Sequence, residues 1–401
     1  MSWNLESIED TTNKITKAIQ SIEVKTEYVS PLQALNRILA EDITSDIDLP
    51  AYNKSIFDGY AIKQSEMLPN NRLKIIDLMS IESPFDGILG DNETVYIPTG
   101  GILPDNADRV IKIEDIQKID DFIILPRTIP AYKGIMEKGE DMQKNELLLK
   151  KGTLLRPQDI GALCAIGCCE VNVKSKIRFS IISSGDEIIP YYQKPKYGQV
   201  RDINSSVLSA LVIENGGEVV CQEILSDNYD NMLESIKAAL EECDILLLSG
   251  GSSVGIKDYS SKLISEFGSI LTHGISLKPG KPTIVAQSNC KNKILFGLPG
   301  HPASSAMVFQ ALIKPMMHKL LDRYDKYQLQ ITATVMEDIK SNVNRDVYQP
   351  VVISSNDNKT FVSPVYGKSG SIMFLCKSDG YIIVPKGQDV LKDDDVSINL
   401  F

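Results

Sequence analysis

Histidine is scarce, with three residues in 401, and the seven cysteines include no Cys-x-x-Cys pair. A Cys/His metal cluster needs several such ligands at close spacing, so these two lacks argue against one. Cys164 and Cys168 would share a helical face, but no histidine or second cysteine pair stands ready to complete a set. The odd count without paired spacing also speaks against a disulfide framework. Free thiols, most of them buried in apolar stretches, are expected in a reducing cytosol. The composition calls for neither disorder nor a membrane. Residues 1–22 mix Glu6, Glu9, Asp10, Lys14 and Lys17 into their apolar positions, unlike a secretory signal or a transmembrane span. A cytoplasmic protein is the expectation. Positive charge is not in excess either: 42 Lys+Arg against 53 Asp+Glu leave a net charge of -11. Wholesale nucleic-acid binding is therefore disfavoured, and an anionic ligand has to be met by local lysines and backbone amides.

What is present suits a globular chain of two to four folding units, with 43% hydrophobic and 24% charged residues. Residues 5–20 and 31–41 read as helices, with Leu5, Ile8, Thr12, Ile15 and Ile19 roughly on one face. From Leu49 to Asp141 short apolar runs alternate with Pro, Gly, Asp and Asn turns, the pattern of a small β unit. Residues 156–167 look helical again, so the β unit is best placed as an insertion. Residues 176–322 alternate strand and helix: IRFSIIS, SSVLSALVIENGG, EVVCQEIL, NYDNMLESIKAALEEC, DILLL and ILFG. That rhythm signals a doubly wound parallel sheet, whose ligands bind beyond the carboxyl ends of the strands. Residues 328–401 return to strands and are expected to close a small barrel. The fold class expected is thus multidomain α/β. Its parts are residues 1–48 with 142–175 (elongated, helical), 49–141 (β insertion), 176–327 (α/β) and 328–401 (β-barrel).

Three polar turns fall on the sheet's carboxyl edge. The run DILLLSGGSSVG ends a buried strand in Ser249, Gly250, Gly251, Ser252 and Ser253, whose amides and hydroxyls suit a phosphate. A tight strand-to-helix turn with no ligand would look the same. Asp186, Glu187, Asp227 and Asp258 gather at the same edge. Acids crowded beside a phosphate loop call for a cation between them, and Mg²⁺ held by carboxylates and substrate phosphates fits. LKPGKP stiffens Lys278 and Lys281 around a Pro-Gly turn, either as an oxyanion pair or as an exposed basic loop. LPGHP, with Pro299 and Pro302 flanking Gly300 and His301, reads first as a rigid turn before a helix. In the β insertion, Asp58 and Thr99 sit in turns whose spacing alone spells out no chemistry.

The runs SIFDGYAI, PTGGILPDNADRVIKIED, KGEDM, SSGDEI, GQVRDINSSVL, SGGSSVGIKDY, KPGKP and LPGHPASS occur in one order along the chain. Together they resemble the molybdopterin molybdenumtransferase family, the MoeA proteins and the E domain of gephyrin. The resemblance implies a four-part dimeric protein with a MogA-like central domain. It also implies insertion of molybdate into adenylylated molybdopterin, with release of AMP and Mg²⁺ present. Residue by residue, it implies an acidic set of Asp141, Glu187, Asp227 and Asp258, with Glu187, Asp227 and Asp258 at the metal. Asp58 and Thr99 resemble residues that complete the site from the partner subunit. Lys278, Lys281, Pro299 and Pro302 match the basic loop and proline turn, and Arg345 and Ser371 resemble residues of the molybdate pocket. The chain departs from the pattern at His301, where many members have Asn, and at Ser184, where Thr precedes Gly-Asp-Glu. It departs again at the MEK stretch before Gly139, and at Val347 and Pro350. Two rivals share the fold: an adenylyltransferase making the pterin nucleotide, and a non-catalytic scaffold or sensor. The extra β insertion and barrel favour the insertase over the first, and the retained acids favour it over the second.

Overall fold

A computed structural model describes residues 5–250, 257–324, 331–357 and 359–401, with backbone alone at 257–259. Backbone packing divides the chain into two compact units: residues 1–40, 152–155 and 171–401, and residues 41–151 with 156–170.

The second unit is built on six strands in the order Arg109–Lys112, Gly59–Ile62, Glu93–Ile97, Arg72–Leu78, Phe122–Ile124, Gln117–Ile119. The interior strand GYAI, next to the edge, is buried at every position. Its alternate side chains enter two different cores, Ala61 with Val95, Ile97 and Val110, and Tyr60 and Ile62 with Leu73, Ile111 and Ile123. A strand covered on both faces reads as an unbroken apolar run, which is why periodicity alone cannot mark its faces. Helix Pro157–Ala165 closes this unit. Proline in its first turn and the Asp159 carboxylate on the Arg156 N–H (2.9 Å) start it, and Gly167 at φ +74° ends it.

In the first unit, helix Ile8–Ala18 is capped by Ser7, whose hydroxyl accepts from the Asp10 N–H at 2.9 Å. It buries Thr11, Ile15 and Ala18, so Thr11 and not Thr12 takes the inward position. The helix expected over 31–41 is a single 3₁₀ turn, Pro31–Ala34. Asn36 then turns left-handed at φ 61°, and Ile38 and Leu39 pair as extended backbone with Leu154 and Val173. Long-range pairing has overridden a local apolar pattern.

The α/β portion carries β1 (Arg178–Ser184), β2 (Glu218–Leu225), β3 (Ile245–Gly250), β4 (Gly268–His273), β5 (Ile284–Ser288) and β6 (Ile294–Leu298). Their spatial order is β2-β1-β3-β6-β5-β4. The first four are parallel, and β5 and β4 continue the sheet antiparallel. Both faces are covered. Ile181 and Leu247 join Leu208, Val212 and Met307 on one side, while Ile182, Leu246 and Leu248 meet Met232, Ile236 and Leu263 on the other. Each such aliphatic side chain contributes about 1.5–3 kcal/mol when fully buried. The result is the doubly wound sheet the sequence implies, with an antiparallel edge that it does not announce.

Five strands, β7 (Ile331–Val335), β8 (Asp346–Asn356), β9 (Lys359–Pro364), β10 (Gly380–Val384) and β11 (Asp395–Leu400), close a barrel in the order β8-β9-β7-β11-β10-β8. Val335, Val351, Val362, Ile382 and Val384 fill it. The two-residue strand Leu277–Lys278 pairs in parallel with the start of β8, Leu277 opposite Asp346 and Lys278 opposite Val347. This short ladder ties the basic loop to the barrel.

All seven cysteines are free, but the expectation that most are buried is not met: Cys243 alone is buried, Cys168 and Cys221 are half-buried, and Cys164, Cys169, Cys290 and Cys376 are exposed. Cys164 lies on the outer side of its helix, whose inward positions are Ile160 and Leu163. Among the described residues, no helix is long and apolar enough to cross a membrane.

Candidate functional site

The parallel strands deliver their ends to one edge: Ser184 at β1 lies in register with Gly250 at β3 and Leu225 at β2, and Ser249 with Leu298 at β6. Gly250 has to be glycine, since a Cβ there would come within 2.1 Å of Ser184 Oγ and 2.5 Å of its carbonyl oxygen. Ser249 is expected to serve a phosphate, but it is fully buried and its Oγ accepts from Asn204 Nδ2 at 2.7 Å. Its hydroxyl is engaged in holding the turn. The same Asn204 amide donates to the Gly300 carbonyl at 2.8 Å, so one side chain braces the ends of β3 and β6. Next to it, buried Asp202 accepts from Ser183 Oγ (3.1 Å), the Ser205 N–H (3.1 Å) and Ser205 Oγ. Gly251, Ser252 and Ser253 lie outside the described residues. Asp258 is placed in helix Lys257–Phe267, but its side chain is not described.

Three acids do converge. The Asp227 N–H donates to Asp186 Oδ1 at 3.0 Å, and Asp227 Oδ1 is buried with no hydrogen-bond partner among the described residues. Burial first, then the charges of Asp186 and Glu187, push the Asp227 carboxyl above the usual aspartate range. Among the described residues, no group of three His, Cys, Asp or Glu side chains forms a metal cage by itself. An unsatisfied carboxylate oxygen among like charges is nevertheless what a cation shared with a substrate phosphate would satisfy, and these residues fit Mg²⁺ in that sense. Asp141 belongs to the other unit, where it is exposed and its N–H bonds the Leu49 carbonyl at 2.9 Å. In that unit, Asp58 Oδ1 accepts from the Thr99 N–H (2.8 Å) and from Thr99 Oγ1 (3.0 Å), which hold its carboxyl below the ordinary range.

Beside Gly250 opens a cavity of ≈ 690 Å³. Its wall carries Lys278 and Lys281 from the basic loop and Lys340 and Arg345 from the segment between β7 and β8, and no Asp or Glu is among its described lining. In a chain of net charge -11 this is a segregated cationic site. Pro299 and His301 also line it. Two expected residues do not. Pro302 opens helix Pro302–Val308 in place of forming wall, and Ser371 Oγ accepts from the Met373 N–H at 3.2 Å. Ser369 does line the cavity: its Oγ lies 2.8 Å from His301 Nδ1, and its carbonyl accepts from the Ala303 N–H at 3.2 Å. Lys340, Ser369 and Asn204 carried no sequence signal of their own, although Asn204 sits inside the GQVRDINSSVL run.

Three family models match in chain order. They are the MoeA N-terminal region (domain I and II) over residues 6–167, a probable molybdopterin binding domain over 180–319, and the MoeA C-terminal region (domain IV) over 332–401. A molybdopterin molybdenumtransferase of Staphylococcus aureus is 30% identical over 88% of this chain and 86% of its own length. The chain belongs to the molybdopterin molybdenumtransferase (MoeA) family. As such it is a transferase of molybdenum cofactor biosynthesis. A putative molybdopterin biosynthesis protein of Methanocaldococcus jannaschii is also 30% identical, over 90% of this chain and 88% of its own. Among solved structures, a molybdopterin biosynthesis MoeA protein from Pyrococcus horikoshii superposes with a TM-score of 0.82 at 31% identity, covering 99% of both chains. The barrel and the doubly wound sheet are thus MoeA features.

Proposed function

We propose that this chain inserts molybdate into adenylylated molybdopterin and releases AMP, with Mg²⁺, as a cytoplasmic homodimer. The observation that carries this is the division of one sheet edge into two charge fields. Lys278, Lys281, Lys340 and Arg345 line a cavity without a described carboxylate, and Asp227 presents an unpartnered buried oxygen among acids at the neighbouring strand ends.

The chemistry follows from those fields. Bringing a tetrahedral oxyanion to an already anionic pterin nucleotide is opposed by charge, and the cationic wall offsets that repulsion. Lys278 and Lys281 act as point charges on a stiff loop, and Arg345 offers a planar fork of donors to an oxyanion. Pro299 and Gly300 shape the wall, braced from behind by Asn204. A divalent cation bound by Glu187, Asp227 and Asp258 would neutralise the nucleotide phosphate and the departing AMP. Cleavage of the phosphate anhydride then depends on positioning and charge more than on a covalent nucleophile. Gly250, Gly251, Ser252 and Ser253 are assigned to the phosphate, Ser249 to holding their turn. Asp58, Thr99 and Asp141 are assigned to a site completed by a second copy. We keep the four-part division 1–48 with 142–175, 49–141, 176–327 and 328–401 as part of this proposal.

Incubation with adenylylated molybdopterin, molybdate and MgCl₂ should release AMP in proportion to molybdate. Adenylylation of molybdopterin from MgATP, with no molybdate-dependent AMP release, would show the adenylyltransferase instead.

A further inference from the structure

The cationic cavity contains one tyrosine side chain that the fold leaves bare. Tyr366 lines it and is 64% exposed, whereas the other benzenoid rings in the described wall, Tyr348 and Phe374, are 7% and 8% exposed; His273 and His301 add exposed imidazoles. Tyr348 is already stacked on Tyr381, with centroids 5.1 Å apart and planes 13° from parallel. Phe374 packs on Gly367, where a Cβ would come within 2.3 Å of its Cδ1. The backbone around Tyr366 is anchored on both sides, by that contact and by the Val365 N–H on the Pro350 carbonyl at 2.8 Å.

An exposed tyrosine by itself needs no explanation. This one shares its cavity with Lys278, Lys281, Lys340 and Arg345, and no Asp or Glu is among the described lining, although burial and then the charge of Glu337, outside that lining, raise the pKa of its hydroxyl. A bare aromatic face in a wall that elsewhere carries cations matches a ligand that joins a planar ring to an anionic group. The cavity of ≈ 690 Å³ is also far larger than a tetrahedral oxyanion requires and lies in the range of sites for ring-sized ligands.

We propose that Tyr366 is the stacking platform for the planar ring of a pterin-type substrate whose anionic substituent is held by the lysine and arginine side chains of the same cavity. This rests on the function proposed above and names the residue that takes the ring. A purine base is the rival ring.

The test uses the full chain and pterin-6-carboxylate, whose fluorescence reports on stacking, with AMP and inorganic phosphate as separate ligands. Wild type should bind pterin-6-carboxylate with quenching. Tyr366→Ala should weaken that binding about tenfold, and Tyr366→Phe should keep it, since the ring face and not the hydroxyl does the work. Phosphate binding should be equal in all three, showing the cations intact. Unchanged binding of pterin-6-carboxylate by Tyr366→Ala overturns the proposal. So does a loss confined to AMP, or a wild type that binds phosphate but no pterin-6-carboxylate. A wild type that binds none of the three ligands overturns the proposed function together with this inference.

Discussion

Ser369 Oγ lies 2.8 Å from His301 Nδ1, so a residue that follows β9 holds the exposed ring of the turn that ends β6. The Ser369 carbonyl adds a second tie, to the Ala303 N–H. Replacing Ser369 by Ala removes one hydrogen bond near the surface and should lower unfolding free energy by about 1 kcal/mol. NMR should show the His301 ring nitrogens changing environment, with the barrel's amide signals unmoved.

Asn204 has a heavier duty. Its amide bonds both Ser249 Oγ and the Gly300 carbonyl while 6% exposed. Asn204→Ala strands one buried and one half-buried acceptor and should cost about 1–3 kcal/mol by urea unfolding. Because both strand-end turns loosen, AMP release should fall as well.

Asp227 predicts a pH dependence. Its carboxyl is raised by burial and by Asp186 and Glu187, so the folded chain keeps this proton where the unfolded chain has lost it. Its contribution to stability therefore falls as pH rises from the ordinary aspartate range through the raised value. Asp227→Asn should be the more stable protein above that window and equal to wild type well below it. At neutral pH, MgCl₂ should raise the melting temperature of wild type and leave Asp227→Asn unmoved.

The cationic wall predicts graded losses. Arg345→Ala should weaken molybdate binding about tenfold by calorimetry and flatten its salt dependence. Lys340→Gln should do less, because Lys340 Nζ is already paired with Asp389 at 2.9 Å and its side chain is 73% exposed.

A shared site can be tested by mixing two inactive proteins. Asp58→Asn and Asp227→Asn should each abolish AMP release. Unfolded and refolded together, they should recover about a quarter of wild-type activity, since half the dimers would be mixed and carry one intact site of two. No recovery would overturn the shared-site assignment.

Much of the fold was legible locally. The run NYDNMLESIKAALEEC became helix Tyr229–Glu242, and EVVCQEIL became β2 at Glu218–Leu225, because buried strands and amphipathic helices carry their own periodicity. Segments decided by distant partners were not legible. The stretch after Pro31 gave up its helical pattern to pair with Leu154 and Val173, and β4 hid behind three exposed positions in six. In the site, turn residues such as Gly250 and Lys278 were visible through their glycines and prolines. The Ser249 contact with Asn204 was not legible, because a hydroxyl at a strand end looks the same from sequence whatever it meets.

The sequence by itself determined the alternation of strand and helix, the polar turns at the strand ends, and the family through motifs in one fixed order. These are written in neighbouring residues, where spacing and side-chain type act directly. Only the tertiary structure decided that Lys340 and Arg345 join Lys278 and Lys281, that Ser369 and not Ser371 meets the cavity, and that Tyr366 stands bare within it. Those meetings depend on the Leu277–Lys278 ladder to β8 and on barrel closure, pairings between residues far apart in the chain that no local pattern encodes.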